Sequence, residues 1–324
     1  MELPDGAPPE VSLPLPERGA ELAPQAAAEG LVAGVVVSRS AGFYWVQLAG
    51  GQLRLCQLRG RLRAGDSVLV GDRVWVRPTP DGRGVIEQVG RRTSQLRRPP
   101  VANVSLAVAV MALAQPEPDL ELLDRLLAAA QAAGLQAVVC WNKADLVPAE
   151  QARRLVELYR QAGYEALATS ALTGFGVPEL RQRLAGHIST LCGPSGVGKS
   201  ALVNALCPDA GQATGEVSPR LGRGRHTTRT VRLLPLAGGG WVADTPGFSR
   251  LELAELAPRD LSRLMPDIAR QARECRFGAD CLHVAEPHCA VREAVSRGSL
   301  AESRYRSYRK LLRELQELEA SRYG

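Results

Sequence analysis

The sequence predicts a multidomain α/β protein: an N-terminal β-barrel, a P-loop domain with a mainly parallel sheet, and a C-terminal helical segment organised by a metal-binding cluster. Three observations predict it. Gly193-Pro194-Ser195-Gly196-Val197-Gly198-Lys199-Ser200 fits the phosphate-loop pattern G-x-x-x-x-G-K-[ST], and it stands between a strand-like run, 187–192, and a helix-like run, 201–206. Residues 31–89 are written as short strands separated by Gly and Asp turns. Cys275, Cys281, His283 and Cys289 fall together near the end of the chain.

Bulk properties set the limits. A length of 324 residues suggests two or three domains, and 45% hydrophobic content is enough for real cores. The net charge of +6 permits an anionic partner without demanding one. The basic residues are almost all arginine. Lysine occurs only at 143, 199 and 310, and the first two fall inside nucleotide motifs, where a compact ammonium fits better than a guanidinium fork. Residues 1–29 carry six prolines, early acids and no basic n-region, so a disordered tail is expected rather than a targeting peptide. The longest largely apolar run, 104–114, is too short to span a bilayer. No membrane association and a reducing cytoplasmic setting are therefore expected, in which clustered cysteines favour a metal over disulfides.

In the first segment, strands are expected at 31–38, 43–48, 52–56, 67–70, 72–76 and 84–89. Five or six short strands in so few residues fit an OB-fold. Arg54, Arg59, Arg61 and Arg63, with Tyr44 and Trp45, suit contact with single-stranded or looped RNA. A structural barrel with a solvated arginine face is the alternative.

A basic, Pro-ended linker follows at 91–100. After it the pattern becomes βαβ and implies a parallel sheet: an apolar strand at 104–111, a helix at 119–133 and a strand at 136–141. That strand runs into Asn142-Lys143-Ala144-Asp145, an N-K-x-D motif. The Asp145 carboxylate can accept from both N1–H and N2–H₂ of guanine, whereas adenine has neither donor and would leave it unpaired. Lys143 would lie along the base plane and Asn142 would tie loops together; an ordinary helix N-cap at Asp145 is the alternative. A helix at 149–163 begins beside Pro148, and a strand at 165–168 leads to Thr169-Ser170-Ala171-Leu172. Amides near Ser170 and Ala171 would approach guanine O6.

At the phosphate loop, Gly193, Pro194, Ser195, Gly196, Val197, Gly198 and Ala201 would bind nucleotide through the backbone, with glycines where a Cβ would clash. Lys199 would reach the β- and γ-phosphates, and Ser200 would ligate Mg²⁺. The base-reading motifs precede this loop, the reverse of the usual GTPase order. The domain therefore reads as a circularly permuted P-loop GTPase, joined and cut at exposed loops. A mobile Gly- and Arg-rich stretch, 211–225, leads to His226-Thr227-Thr228. Either threonine suits the first switch as a Mg²⁺ ligand, with Thr228 preferred. A hairpin at 230–235 and 240–243 ends at Asp244-Thr245-Pro246-Gly247, a D-x-x-G motif. Asp244 would hold Mg²⁺ through water, and the Gly247 amide would sense the γ-phosphate. Phe248 stands where many GTPases place the Gln that orients water. His226 is the candidate catalytic group in its place, with Arg225 or a group from a partner as alternatives.

Cys275-x₅-Cys281-x-His283-x₅-Cys289 offers three thiolates and an imidazole, a closed tetrahedral set for one Zn²⁺. Metal binding would supply folding energy that so few apolar residues cannot. His288 is a rival imidazole. Cys56, Cys140, Cys192 and Cys207 are isolated and expected to pack as small hydrophobes. Helices are expected at 258–273, 291–298 and 302–321. The last carries Tyr305, Tyr308, Leu311, Leu312, Leu315 and Leu318 on one side. Arg304, Arg306, Arg309 and Lys310 form a basic start, either a solvated face or a phosphate contact.

From about residue 31 to 308 these motifs, in this order, resemble the small-ribosomal-subunit-dependent GTPases of bacteria, the RsgA/YjeQ family. The resemblance implies an OB-fold at 30–92, a circularly permuted GTPase domain at 93–254 and a helical zinc-binding domain at 255–324. It implies hydrolysis of GTP to GDP and phosphate, with Mg²⁺, stimulated by the 30S subunit during late 30S maturation. It also implies contacts of the barrel and zinc domain with 16S rRNA, and we expect a monomer. The alternatives are an RNA-binding nucleotide switch with negligible turnover and a P-loop ATPase. The second switch, 244–248, runs almost directly into the zinc domain, so nucleotide state is expected to set that domain's pose.

Overall fold

The computed structural model describes residues 30–40, 42–60, 67–97, 99–208, 231–244 and 256–323. The tail 1–29, Arg61, Arg63, the 211–225 stretch, His226, Thr227, Thr228, Gly247 and Phe248 lie outside the described residues.

Strands β1 (Val32–Ser40), β2 (Phe43–Leu48), β3 (Leu53–Leu58), β4 (Arg73–Pro78) and β5 (Gly84–Val89) form a closed ring. The pairings run β1–β2, β2–β3, β3–β5, β5–β4 and β4–β1, and only β3–β5 is parallel. This is the OB-type closure, which removes the sheet edges. β1 pairs with β2 on one edge and, over Val32–Val35, with β4 on the other. The bulge where its register against β2 shifts, between Val36 and Ser38, bends it. Val36, Val46, Cys56, Val68, Val74, Val76 and Ile86 fill the interior. The expected strand at 67–70 contributes only a single bridge, Val70 to Val101. Its backbone is held instead by the fully buried Asp72, which accepts from the Leu69 N–H at 2.7 Å and takes both prongs of Arg92 at 2.7 and 2.8 Å. The stretch read as a linker holds a small hairpin, β6 (Gln95–Arg97) and β7 (Pro100–Ala102).

The βαβ text folds as expected. β8 (Leu106–Ala112) is buried along its whole length. α1 (Leu120–Ala132) starts at Asp119, whose carboxylate accepts from the Leu122 N–H at 3.0 Å. Leu123, Leu126, Leu127 and Ala130 make its buried stripe. β9 (Gln136–Asn142), α2 (Ala149–Gln161) and β10 (Glu165–Ala168) follow, with β9 and β10 parallel. A helix not read from the sequence, α3 (Val177–Leu184), precedes β11 (Ile188–Cys192) and α4 (Lys199–Leu206). The expected hairpin is present as β12 (Arg232–Pro235) and β13 (Trp241–Asp244). β13 lies parallel to β11, and Ser38 of β1 pairs with Arg232 of β12.

The region expected as one helix, 258–273, is a 3₁₀ segment, Pro258–Leu264, followed by α5 (Pro266–Ala272). Pro266 explains the break: the residue before a proline is driven to extended backbone, and Met265 has φ −120° and ψ 101°. α6 (Ala290–Ser296) and the long α7 (Glu302–Tyr323) complete the chain, with α7 packed on α1. No helix among the described residues is long and apolar enough to cross a membrane.

These elements form two compact units. One holds the barrel with 178–190, 200–208 and 231–244. The other holds 107–177, 191–199 and the C-terminal segment 256–323. In the second unit the strands stand in the order β10, β9, β8 and then the end of β11.

Candidate nucleotide site and candidate metal centre

Three loops in the second unit leave the carboxyl ends of strands of one sheet: 142–145 after β9, 169–176 after β10 and, across β8, 193–199 after β11. Such ends are where open α/β sheets hold ligands. Asn142 joins all three. Its side-chain N–H donates to Val197 O at 2.9 Å, while its Oδ1 accepts from Thr169 Oγ1 at 3.1 Å and from the Ala171 N–H at 3.2 Å. It is 1% exposed, so every polar atom of the amide needs a partner inside the protein, and each has one.

Lys143 follows in the left-handed region at φ 62°, with its ammonium donating to Gln115 O. Asp145 is exposed within a 3₁₀ turn, Ala144–Leu146, and does not cap it: Lys143 occupies the N-cap position. The Ser170 hydroxyl donates to Asp145 Oδ1 at 2.5 Å, and the Thr173 N–H donates to Ser170 Oγ at 3.1 Å. The carboxylate is thus oriented from one side by the loop that carries Ser170 and Ala171.

The phosphate loop is shaped by two close approaches. A Cβ on Gly193 would lie 2.1 Å from Val110 O, and one on Gly198 would lie 2.3 Å from Asn142 Nδ2. Gly198 also has φ +92°. Lys199 folds over the loop, donating to Gly193 O at 2.8 Å and Pro194 O at 2.7 Å, and burial pushes its ammonium below the ordinary lysine range. Those two carbonyls hold the ammonium against the loop. Ser200, the next residue, is exposed at the start of α4, and Asp244 ends β13 with Arg232 opposite. Gly198→Ala would press the Asn142 amide off Val197 O and force alanine into a left-handed conformation. It is expected to cost about 1–3 kcal/mol in nucleotide affinity, read by titration with a fluorescent guanine nucleotide. Unchanged affinity would contradict this account of the loop.

Cys275, Cys281, His283 and Cys289 are buried together, with their ligand atoms within 4.8 Å of one another. A tetrahedral ion about 2.3 Å from sulfur and about 2.0 Å from nitrogen would set S···S edges near 3.8 Å and S···N edges near 3.5 Å. The observed S···S distances from Cys289 to Cys275 and Cys281 are both 3.8 Å. His283 Nδ1 lies 3.4 Å from Cys275 Sγ and 3.5 Å from Cys289 Sγ. The donor set fits a metal ion. Burial holds the His283 imidazole below the ordinary histidine range, the neutral form that a metal takes. His288 is exposed and outside the cluster.

Sequence reading missed the residues that shape this loop. Glu286 accepts backbone N–H groups from Leu282, Val284 and Ala285 at 2.7, 2.9 and 3.0 Å. Burial raises its carboxyl, but those N–H groups outweigh it and hold it below the usual range. An acid inside a ligand segment was the available signal. The basic start of the last helix needs correction. Arg306, Arg309 and Lys310 are exposed, but Arg304 is 1% exposed and is part of the interior.

On the barrel, Tyr44 packs against the interior cluster, Arg59 and Arg77 pair with Glu87, and Arg54 donates to Arg83 O at 3.2 Å. The isolated cysteines 56, 140, 192 and 207 are all buried and free.

Comparison with known proteins gives the following. The family model described as RsgA GTPase matches residues 89–254, and that of the RsgA N-terminal domain matches 33–86. The small ribosomal subunit biogenesis GTPase RsgA of Moorella thermoacetica is 49% identical over 283 residues, 87% of this chain and 97% of that protein. Its namesake in Caldanaerobacter subterraneus subsp. tengcongensis is 44% identical over 293 residues, 90% of this chain and 98% of that protein. The crystal structure of YjeQ from Thermotoga maritima aligns with a TM-score of 0.74 at 38% identity, covering 88% of this chain and 99% of that one. YloQ, a circularly permuted GTPase, aligns with a TM-score of 0.75 at 32% identity, covering 89% and 96%.

Proposed function

The chain belongs to the RsgA family of GTPases, and from that premise we propose that it binds the small ribosomal subunit and hydrolyses GTP to GDP and phosphate during late assembly of that subunit. The observation that carries the site assignment is the single side chain of Asn142 joined to the 169–171 loop and to the phosphate loop.

In this reading Asp145 accepts from guanine N1–H and N2–H₂, Lys143 flanks the base, and the amides near Ser170 and Ala171 meet O6. The backbone of 193–201 and Lys199 hold the phosphates. Ser200, Thr228 and Asp244 are the residues for Mg²⁺, which supplies charge neutralisation between the β- and γ-phosphates. Gly247 senses the γ-phosphate, and His226 positions the attacking water in place of the Gln that Phe248 displaces. Cys275, Cys281, His283 and Cys289 hold one Zn²⁺. Four protein ligands leave no open position, so the ion is structural. The working division is a barrel at 30–92, a GTPase domain at 93–254 and a zinc domain at 255–324. The outer two meet 16S rRNA, and the protein acts as a cytoplasmic monomer.

The test is GTP turnover titrated with purified small ribosomal subunits, with His226→Ala alongside. Turnover is expected to rise at least tenfold with subunits, by analogy with the gain when a partner completes a GTPase site. The substitution is expected to remove most of that rise while leaving GDP binding intact. A flat titration would favour a nucleotide switch without turnover.

A further inference from the structure

Arg304 is spent on two buried carboxylates. Nε donates to Asp267 Oδ2 at 2.8 Å, Nη2 donates to Asp267 Oδ1 at 3.0 Å, and Nη1 donates to Asp124 Oδ1. Its guanidinium carbon lies 5.5 and 5.3 Å from the ring centres of Tyr159 and Tyr164. Tyr159 is fixed in turn: its hydroxyl donates to Asp124 Oδ1 at 2.8 Å, and its ring meets Trp141 edge-on at 5.7 Å. Trp141 is fully buried and is the residue before Asn142.

The same helix turn also grips the metal loop. The Tyr305 hydroxyl donates to His283 O at 2.7 Å, and the Tyr308 hydroxyl donates to Leu282 O at 3.0 Å. The Tyr308 ring centre lies 5.9 Å from that of His283. Consecutive residues of α7, Arg304 and Tyr305, therefore contact Tyr159, whose ring meets the residue before the 142–145 loop, and the loop that carries the Cys–His cluster. All of them lie in one compact unit.

A buried ion cluster adds little stability over apolar packing of the same volume. What it supplies is a defined geometry, because the planar guanidinium fork, bidentate to Asp267 through Nε and Nη2, aims its remaining Nη1 at Asp124. We propose that Arg304 is a positioning residue for nucleotide binding, coupling the order of the Cys–His loop to the grip on the base through Tyr159 and Trp141. The proposal rests on the reading of Asn142, Lys143 and Asp145 as guanine-binding residues. Coupling of this kind is reciprocal: nucleotide that settles the base loop also steadies the Cys–His loop.

Full-length protein carrying Arg304→Lys keeps the charge and loses the fork. Its GDP affinity is expected to fall about tenfold, within the usual range of coupling between sites. For unstimulated GTP hydrolysis KM should rise while kcat at saturation holds, a split that a smaller folded fraction would not produce. In the wild-type chain, GDP should slow amide exchange in the first turns of α7 and at Leu282 and His283, a measurement that needs no variant. A folded Arg304→Lys protein with wild-type GDP affinity and KM would overturn the proposal. So would GDP protection that stops at β9 and α2. A wild-type chain that held ADP as tightly as GDP would overturn the guanine reading and this proposal with it. GDP preference with an indifferent Arg304→Lys would overturn this proposal alone.

Discussion

Asp145→Asn should bind GDP about a hundredfold to ten-thousandfold more weakly than the parent and should come to prefer xanthosine diphosphate. In the proposed site the carboxylate would offer two acceptors to the N1–H and N2–H₂ of guanine. Hydrogen bonds to a charged group are worth about 1.5–3 kcal/mol each, so both together are worth about 3–6 kcal/mol. The amide turns one acceptor into a donor facing a donor. Xanthine carries an oxygen at that ring position and restores the match. The Ser170 hydroxyl, 2.5 Å from Asp145 Oδ1, can still donate to the amide oxygen, so the side chain should keep its orientation while its chemistry changes. Calorimetric titration with both diphosphates, beside a melting curve to confirm folding, is the measurement. GDP affinity equal to the parent's would remove Asp145 from the base site.

Cys289→Ser is expected to strip the metal and loosen the C-terminal segment. Cys289 lies 3.8 Å from two of its partners and 3.5 Å from the third, so it touches every other ligand of the cluster. A structural zinc site contributes about 10–16 kcal/mol of apparent binding energy, which is also folding energy. Losing one ligand of four should remove roughly a quarter, about 3 kcal/mol, which is more than a hundredfold in metal affinity. Metal content by mass spectrometry should fall from one ion per chain toward none under mild chelation. Limited proteolysis should then open the chain between α5 and α6 while the barrel resists. One tightly held ion in the variant would show that the cluster is not the site.

The parts of this molecule that were legible in sequence are those whose chemistry is local. A phosphate loop, an N-K-x-D and a ligand set at 275–289 declare themselves through residue type and spacing. Barrel strands were legible because apolar, β-branched runs of five or six residues stand between Gly and Asp turns. β6 and β7 have three residues each, too few to alternate, and their stretch read as a linker. Met265 is another case: its extended backbone follows from Pro266 one residue on, yet helical spacing on both sides hid the break. Arg304 was the largest miss. Its partners lie 37 and 180 residues away, and no window of sequence contains them. One local signal was present. Residues 304, 308, 311 and 315 share the i, i+4, i+7, i+11 spacing of a buried face, and all four are buried. A cation on an apolar stripe announces a carboxylate waiting elsewhere.

The bend in β1 has a mechanical consequence. Past the register shift, that strand has run beyond its β4 partner but stays paired to β2 through Ser38, Arg39 and Ser40. Its other edge meets β12 at one rung, Ser38 opposite Arg232, while β12 is zipped along its length to β13, which ends at Asp244. Among the described residues this is a seam of one stitch beside two well-sewn cloths. Pulling on the barrel would therefore part that stitch before it deformed either fabric, so the barrel can be tugged by a large partner without tearing the strand that ends at Asp244.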